Sequence, residues 1–406
     1  MLEPIRGTLA APLRREPRGG RPRPLFACAV ALLALAVLAG GARGQVTVTG
    51  TVSDGETGAP LAHVLVSGLD DEEREVVRTL TDRDGLYTLE VPESELSRVS
   101  ARMLGYGSVT SDPVTGDPDP VQVDLELVSS PIALDPIDVS VAAVQACSGL
   151  DDEEHQLLNE IWSQTQHALD VMAFTAEDGD YRFRLEEHER AVSIFTGTEA
   201  DVGRRTDTSS QPFRSVPPDE LLEEGWVRPV EGMDAYDYFA PDAIVVTSRE
   251  FREAYCFRIQ EDGSDPSRVG LAFEPLSAGG PPAIQGTLWV DTETAAPLEL
   301  EFHYTHHYHE PAIPRAFRPF FGGEVTFRET DAGLWVVDDW VIRMPQYRVT
   351  FAESSGLPGG TRPDLVAPYR DVADGVRTSW LQTAWQAGFA VWEQGGRVVE
   401  VDRRGR

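Results

Sequence analysis

Hydrophobic and polar residues alternate in short segments along the first part of the chain, which is the pattern of half-buried β-strands. The alternation covers residues 46–52, 62–66, 76–80, 99–103 and 121–127. Residues that favour turns, chiefly Gly, Asp, Thr and Pro, separate these segments. Short strands at close spacing with turns between them predict an antiparallel β-sandwich.

A change to helical spacing marks the start of a second unit at Cys147. Ser148 is a suitable N-cap, and the acidic residues at 151–154 favour the positive end of a helix. The apolar residues that follow recur every three or four positions; they are Leu157, Leu158, Ile161, Trp162, Ala168, Leu169 and Met172. This periodicity predicts one long amphipathic helix.

Strand patterns return after this helix and continue towards the end of the chain. They lie at residues 181–185, 243–246, 254–259, 286–291, 298–309, 323–330 and 335–344. We predict that these strands form a curved antiparallel sheet packed on the helix. The sequences Leu-Trp-Val-Asp at 288–291 and Leu-Glu-Leu-Glu-Phe at 298–302 resemble the half-barrel sheets of periplasmic lipoprotein carriers, in which hairpins wrap an apolar groove.

The first unit carries a set of motifs that identify a family. They are Gly50-x-Val52-x-Asp54, Thr57-Gly58-x-Pro60-Leu61, Val64-x-Val66, Thr81-Asp82-x-Asp84-Gly85-x-Tyr87 and Leu104-Gly105-Tyr106. With them the segment resembles the carboxypeptidase regulatory-like domain. The resemblance implies a seven-stranded transthyretin-like sandwich, an accessory module of exported proteins that is not itself a peptidase. The predicted fold class is therefore mostly β: this sandwich, then a half-barrel-like antiparallel sheet packed on one long helix.

The first 44 residues have the three parts of a secretory signal peptide. Arginines at positions 14–23 precede an apolar run at 25–38, and small residues follow at 40–44. The run is shorter than the roughly 20 apolar residues that a membrane span needs. We expect cleavage after Gly44, with an uncleaved anchor as the alternative. Export to the periplasm, the outer membrane or the medium of a Gram-negative-type bacterium follows from this leader.

The remaining chain divides into three predicted parts. The regulatory-like sandwich covers residues 45–128, a linker with two prolines covers 129–146, and the second unit covers 147–406. In its later strands the second unit resembles exported bacterial proteins that pair the same two parts. A run such as Gly-Thr-Leu-Trp-Val-Asp at 286–291 carries this second resemblance.

The chain is strongly acidic, and this charge disfavours some classes of binding partner. Its formal net charge is −32, from 67 acidic residues and 35 basic residues that are all Arg. This charge repels phosphate backbones and anionic lipid head groups, so nucleic acid is a poor partner. Solubility is the simplest interpretation of the charge, and a surface for divalent cations or a basic partner is the alternative.

Two cysteines, Cys147 and Cys256, remain once the leader with Cys28 is removed. An even number of cysteines in an exported chain favours a disulfide. The bridge would close a loop of about 110 residues and add about 2–4 kcal/mol of stability. Two separate buried thiols are the alternative.

One cluster of side chains could carry metal chemistry. It consists of His303, His306, His307 and His309, followed by Glu310. On a strand, His303, His307 and His309 share one face and could bind zinc or copper. The spacing of His307 and Glu310 also matches the short zinc motif of metallocarboxypeptidases, but no histidine follows His309. We expect a solvated strand end here, with a metal site as the alternative.

The sequence holds no nucleophile elbow, phosphate loop or dinucleotide fingerprint, so we predict no catalytic residue and no cofactor. The favoured function is a non-catalytic exported binding or interaction protein of the cell envelope. Its curved sheet would hold an apolar, lipid-like ligand or a partner protein. Carbohydrate binding on aromatic residues is a minor alternative, because Tyr87 and Tyr106 are expected in the sandwich core. The second hypothesis is a metal-binding protein or metal-dependent hydrolase that uses residues 303–310.

Overall fold

The computed structural model of the protein describes residues 45–92, 95–114, 120–130, 144–179, 181–193, 198–213, 215–231, 236–277, 279–305, 321–350 and 386–403. The predicted signal peptide and most of the predicted linker lie outside these ranges. Cleavage after Gly44 and the predicted domain boundaries therefore stay predictions.

Two four-stranded sheets form the first unit. The strands are β1 (Gln45–Asp54), β2 (Leu65–Leu69), β3 (Glu75–Leu80), β4 (Leu86–Pro92), β5 (Arg98–Arg102), β6 (Val109–Thr110), β7 (Val121–Gln122) and β8 (Leu125–Leu127). In one sheet β4, β1 and β7 lie side by side and β8 also pairs with β1, and in the other the order is β3-β2-β5-β6. Their inward side chains, among them Val48, Val52, Val66 and Val99, form the sandwich core.

The strand predicted over residues 121–127 is split into β7 and β8, and the described part of the sandwich has eight short strands. The side chains of Tyr87 and Asp124 form hydrogen bonds where the strand is interrupted. The carbonyl of Val123 accepts a hydrogen bond from the Tyr87 hydroxyl at 2.7 Å. The carboxylate of Asp124 accepts from the backbone N–H and the hydroxyl of Thr51, each at 2.9 Å. Both short strands still pair in parallel with β1.

The second unit consists mainly of one long helix and a large sheet, as predicted. Its described helices are α1 (Asp152–Asp178), α2 (Pro218–Glu224), α3 (Ala243–Thr247) and α4 (Arg249–Ala254). Its strands are β9 (Tyr181–Ser193), β10 (Glu199–Ser209), β11 (Val227–Pro229), β12 (Tyr236–Tyr238), β13 (Tyr255–Glu261), β14 (Arg268–Pro275), β15 (Ile284–Asp291), β16 (Pro297–Tyr304), β17 (Gly322–Glu329), β18 (Trp335–Thr350) and β19 (Gln386–Arg403). Nine of them form one antiparallel sheet in the order β10-β9-β19-β18-β17-β16-β15-β14-β13, and β11 pairs with β12.

The long helix begins three residues later than its sequence suggests. Asp151, and not Ser148, is the N-cap residue. Its carboxylate accepts the backbone N–H of Glu154 at 2.9 Å, and the Glu154 carboxylate accepts the backbone N–H of Asp151 at 3.1 Å. This reciprocal capping box satisfies two backbone donors at once, which a serine at 148 does not offer.

The strand predicted over residues 243–246 is wrong, because these residues form α3. The Asp242 carboxylate caps this helix by accepting the backbone N–H of Val245 at 2.9 Å. The Ser248 hydroxyl caps α4 in the same way, from Phe251 at 3.1 Å. Two N-caps in succession outweigh the strand propensity of the β-branched residues between them.

The two faces of the nine-stranded sheet differ in polarity. One face packs against the helices, and the other carries charged pairs across neighbouring strands. Arg190 lies between Glu199 at 3.2 Å and Glu393 at 2.6 Å, and Arg343 lies between Glu393 at 3.4 Å and Glu324 at 2.8 Å. This row of charges crosses from β10 to β17, as is typical of the solvated face of an antiparallel sheet.

The sandwich packs directly against the second unit, and strand β2 contributes to two cores. Leu65 and Leu80 belong to the core that contains α1, whereas Val64 and Val66 belong to the sandwich core. Successive side chains of a strand point to opposite faces, so β2 can serve both sides. The sandwich is therefore packed on the second unit and is not connected to it by a linker alone.

The end of the predicted linker is held at the edge of the large sheet. The backbone N–H of Phe257 donates to the Gln145 carbonyl at 2.8 Å, and the N–H of Cys147 donates to the Phe257 carbonyl at 2.9 Å. The predicted disulfide between Cys147 and Cys256 is present, with a Cα–Cα distance of 4.8 Å. These contacts cover part of the edge strand β13, which would otherwise expose unpaired backbone groups.

Candidate functional site

The motifs at the start and end of the sandwich meet at Asp54. Its carboxylate accepts the backbone N–H groups of Glu56 and Thr57 at 3.0 and 2.7 Å. It also accepts the hydroxyls of Thr57 and Tyr106, each at 2.9 Å. These hydrogen bonds, the one from the Thr57 backbone first, lower the pKa of Asp54. The motif residues therefore hold this turn in place. The four hydrogen bonds that the Asp54 carboxylate accepts all stabilise the fold.

The glycines of the same motifs are required by backbone geometry. Gly85 has a φ of +73°, and a Cβ atom there would overlap the carbonyl oxygen of Val52. At Gly50 a Cβ atom would overlap the carbonyl oxygen of Val123. Tyr87, opposite Gly50 in the sheet, is 4% exposed and belongs to the core. The contacts of these motif residues thus explain the fold of the sandwich.

Among the predicted metal ligands, the structure describes only His303. This half-buried residue of β16 accepts a hydrogen bond at Nε2 from the Gln285 amide at 2.6 Å, and burial lowers its pKa. His306, His307, His309 and Glu310 lie outside the described residues. The metal hypothesis for this cluster therefore stays a prediction.

Within the described ranges, one group of side chains has the spacing of a metal site. It consists of Cys147, Cys256 and Glu274, whose ligand atoms lie within 4.8 Å of one another. The two sulfur atoms are joined in the disulfide, so neither can act as the thiolate that a metal would bind. This group is structural.

Helices of the same chain cover the apolar face of the sheet, where a lipid-like ligand was predicted to bind. Leu158, Trp162 and Leu169 of α1 are at most 2% exposed and fill this face. Among the described residues, a cavity near Leu169 and Phe213 measures about 20 Å³. Such a volume holds about one water molecule. Binding of a lipid-like ligand to this sheet therefore stays a prediction.

An open cleft of about 450 Å³ lies between the two units. The sandwich contributes His63 and Arg83. The second unit contributes Tyr181 at the start of β9, the turn between β17 and β18, and the end of β19. The volume falls within the range of about 300–1,000 Å³ that is usual for ligand sites, and such sites favour domain interfaces.

Two turns face each other across this cleft. His63 has a φ of +58°, which is uncommon for a residue with a side chain, and its backbone N–H donates to the Thr81 carbonyl at 3.1 Å. A Cβ atom at Gly333, in the turn between β17 and β18, would lie 3.7 Å from the imidazole of His63. The sandwich and the large sheet are thus in close approach at the cleft.

A β-bulge shapes the opposite wall. The register between β19 and β9 shifts between Val398 and Glu400, so Val399 has no partner in the ladder. Val399 is 40% exposed and lines the cleft together with Glu400 and Asp402. Bulges of this kind redirect side chains and are frequent beside binding sites.

The sequence did not single out any cleft residue as a candidate. Arg83 lies within the motif at residues 81–87, but at a position where the motif specifies no residue. The bulge at Val399 has no sequence signature, because the two strands that define it are about 200 residues apart. A signal that could have been used is the apolar Val399 beside the acidic residues of β19.

Comparison with known families supports the assignment of the first unit. Residues 47–128 match the carboxypeptidase regulatory-like domain, which confirms the resemblance of the N-terminal motifs. No curated protein matches the chain significantly. Across the described residues, no helix has the length and apolar character needed to cross a membrane.

Similarity to solved structures is low. A 3-chlorocatechol 1,2-dioxygenase from Rhodococcus opacus 1CP is 15% identical, with 23% of this chain and 62% of that chain covered and a TM-score of 0.17. The Bacillus anthracis TIE protein is 10% identical, with 40% and 24% covered and a TM-score of 0.18. A DUF1329 family protein from Desulfovibrio piger ATCC 29098 is 9% identical, with 58% and 93% covered and a TM-score of 0.20. The chain spans less than two thirds of the first two proteins, and no function is carried over from any of them.

Proposed function

We propose that the protein is a non-catalytic exported binding protein and that its recognition site is the cleft between the sandwich and the large sheet. The observation that carries this proposal is the position of the cleft between the two units. It measures about 450 Å³ and takes residues from both units. The regulatory-like sandwich would then act as an accessory module that supplies one wall of the site.

Two further observations support a polar ligand over an apolar one. The apolar face of the sheet is filled by α1, whereas charged side chains line the cleft, among them Arg83, Asp331 and Asp402. Export is supported by the leader pattern and by the disulfide between Cys147 and Cys256, because disulfides persist in oxidising compartments.

A cleft-filling substitution tests the proposal. Val399→Trp places a large side chain in the cleft, and Val202→Trp is the matched control, because Val202 is similarly exposed on β10 and does not line the cleft. The probes are amino acids, sugars, nucleosides and short fatty acids, each added to the purified protein in a thermal unfolding assay.

We expect at least one polar class to raise the Tm of the wild-type protein and of Val202→Trp, but not of Val399→Trp, because ligand that binds the folded state stabilises it. The proposal fails if no probe raises the Tm of the wild type. It also fails if the two tryptophan variants respond alike.

A further inference from the structure

The charged residues of the cleft differ in whether they already have partners. Arg328 forms a salt bridge with Asp338 at 2.6 Å, and Glu400 forms one with Arg184 at 2.8 Å. Three others, Arg83, Asp331 and Asp402, line the cleft and form no salt bridge with another described residue. Among the described cleft residues, one cation and two carboxylates are thus outside any salt bridge.

These remaining charges lie on opposite walls. Arg83 belongs to the sandwich, whereas Asp331 and Asp402 belong to the second unit, in the β17–β18 turn and at the end of β19. A single ion would therefore complement one wall and be repelled by the other. A ligand that carries both charges, at opposite ends, complements both walls.

The turn that carries Arg83 is held in place by its neighbours. The Asp82 carboxylate accepts the backbone N–H groups of Asp84 and Leu86, each at 2.9 Å, and the Gly85 N–H donates to the Asp82 carbonyl at 3.1 Å. The backbone at Arg83 is thus fixed before any ligand arrives, which reduces the entropy lost on binding.

The opposite wall is fixed in a similar way. In the β17–β18 turn the N–H of Gly333 donates to the Thr330 carbonyl at 2.8 Å, and the N–H of Leu334 donates to the Thr330 hydroxyl at 3.0 Å. The β19 bulge places the exposed Val399 near the carboxylates, which offers apolar contact to the middle of a ligand.

From this arrangement we infer that the cleft binds a small zwitterion of the amino-acid or short-peptide class. Its carboxylate would pair with Arg83, and its ammonium group would pair with Asp331 and Asp402. The inference rests on the proposed function, since it assigns a ligand class to the same cleft.

Three forms of one dipeptide test the inference by titration calorimetry at low salt. They are free alanylglycine, its N-acetylated form and its C-terminally amidated form. The protein variants are Arg83→Gln and Asp402→Asn, and Arg258→Gln is the control, because Arg258 lies on β13 and does not line the cleft.

We expect the free dipeptide to bind the wild type at least about tenfold more tightly than either blocked form, which is the effect of losing one charge-assisted hydrogen bond. Arg83→Gln should bind the free and the amidated dipeptide with equal affinity. In Asp402→Asn, the difference in affinity between the free and the acetylated dipeptide should be smaller than in the wild type. Arg258→Gln should keep both preferences.

Two results overturn the inference. One is equal affinity for the three forms; the other is the absence of dipeptide binding. If a different probe class still stabilises the wild type but not Val399→Trp, the cleft remains the recognition site and only the ligand class is wrong. If no probe class does so, the proposed function fails as well.

Discussion

His167 and Asp170 lie one turn apart on α1 and are buried against the sandwich. The ring Nδ1 of His167 is 3.2 Å from the Met103 carbonyl, and the Asp170 carboxylate is 3.4 Å from Arg102. Burial moves their pKa values in opposite directions. It lowers the pKa of His167 from 6.5 to about 3 and raises that of Asp170 from 3.8 to about 6. In both cases the folded protein favours the neutral form.

These shifts give opposite dependences of stability on pH. The folded-state pKa of Asp170 lies above its unfolded value, so its stabilising contribution is present at low pH and is lost as pH rises towards about 6. The folded-state pKa of His167 lies below its unfolded value, so its contribution is present above about pH 6.5 and is lost as pH falls. Between about pH 4 and 6 the two contributions oppose each other.

Substitution of one of these residues should leave only the pH dependence that the other contributes to the free energy of unfolding. We expect Asp170→Asn to make the free energy of unfolding rise more steeply between about pH 4 and 6, and His167→Gln to make it rise less steeply or fall. Each change in slope approaches about 1.4 kcal/mol per pH unit, the effect of one proton. Urea unfolding across this pH range measures both slopes, with Glu223→Gln on the exposed side of α2 as the control. Parallel curves for all four proteins would contradict the prediction.

At the scale of single residues, the sequence predicts which sandwich residues belong to motifs of the fold. It does not predict which of these residues contact each other. Asp54 and Tyr106 both belong to recognised motifs, yet their hydrogen bond joins residues that are far apart in the chain. Gly85 also belongs to a recognised motif, and the structure has it at a φ of +73°. The need for glycine at Gly50 comes from the approach of Val123, which no local pattern reveals.

At the scale of secondary-structure elements, the disulfide attaches residues 144–147 to the edge strand β13. It closes a loop with a sequence separation of 109 residues. We expect the double variant Cys147→Ser/Cys256→Ser to lose about 2–4 kcal/mol of unfolding free energy, since the unfolded chain is then less restricted. The amide of Phe257, which donates to Gln145, should also exchange its hydrogen faster.

Denaturant unfolding and hydrogen exchange together measure these effects. A reducing agent should destabilise the wild type and leave the double variant unchanged, which separates loss of the disulfide from a packing effect of the serines. Equal stability and equal protection at Phe257 in both proteins would show that the bridge does not hold this edge.

Most strands of the large sheet that have a buried face were predicted, but β14, with four consecutive buried residues, and the exposed strand β10 were missed. Strand β10 is the edge of the large sheet and is exposed along most of its length, so its sequence has no clear alternation. Its charges and its irregular register between Asp201 and Gly203 are typical of a protected edge. The short helices α3 and α4 depend on the caps Asp242 and Ser248, which are weaker signals than the β-branched residues beside them.

At the scale of the whole molecule, the sequence divides the chain into units but does not indicate how they pack. Leu65 and Val66 are both nearly fully buried, and each fits a strand in a sandwich. Only the structure separates them, because Leu65 joins the core around α1 and Val66 joins the sandwich core. The sequence does not indicate the cleft either, because its two walls are formed by residues from opposite ends of the chain.

The shared core predicts that the two units unfold together. Heating should give a single calorimetric transition in the wild type, with equal van't Hoff and calorimetric enthalpies. Leu65→Ala removes contacts between the units and should cost about 2–5 kcal/mol, so the van't Hoff enthalpy should fall below the calorimetric one as the units separate. Val66→Ala weakens the sandwich core alone and should lower the Tm while the enthalpies stay equal. Two transitions in the wild type, or the same enthalpy ratio in both variants, would mean that contact through Leu65 does not couple the units.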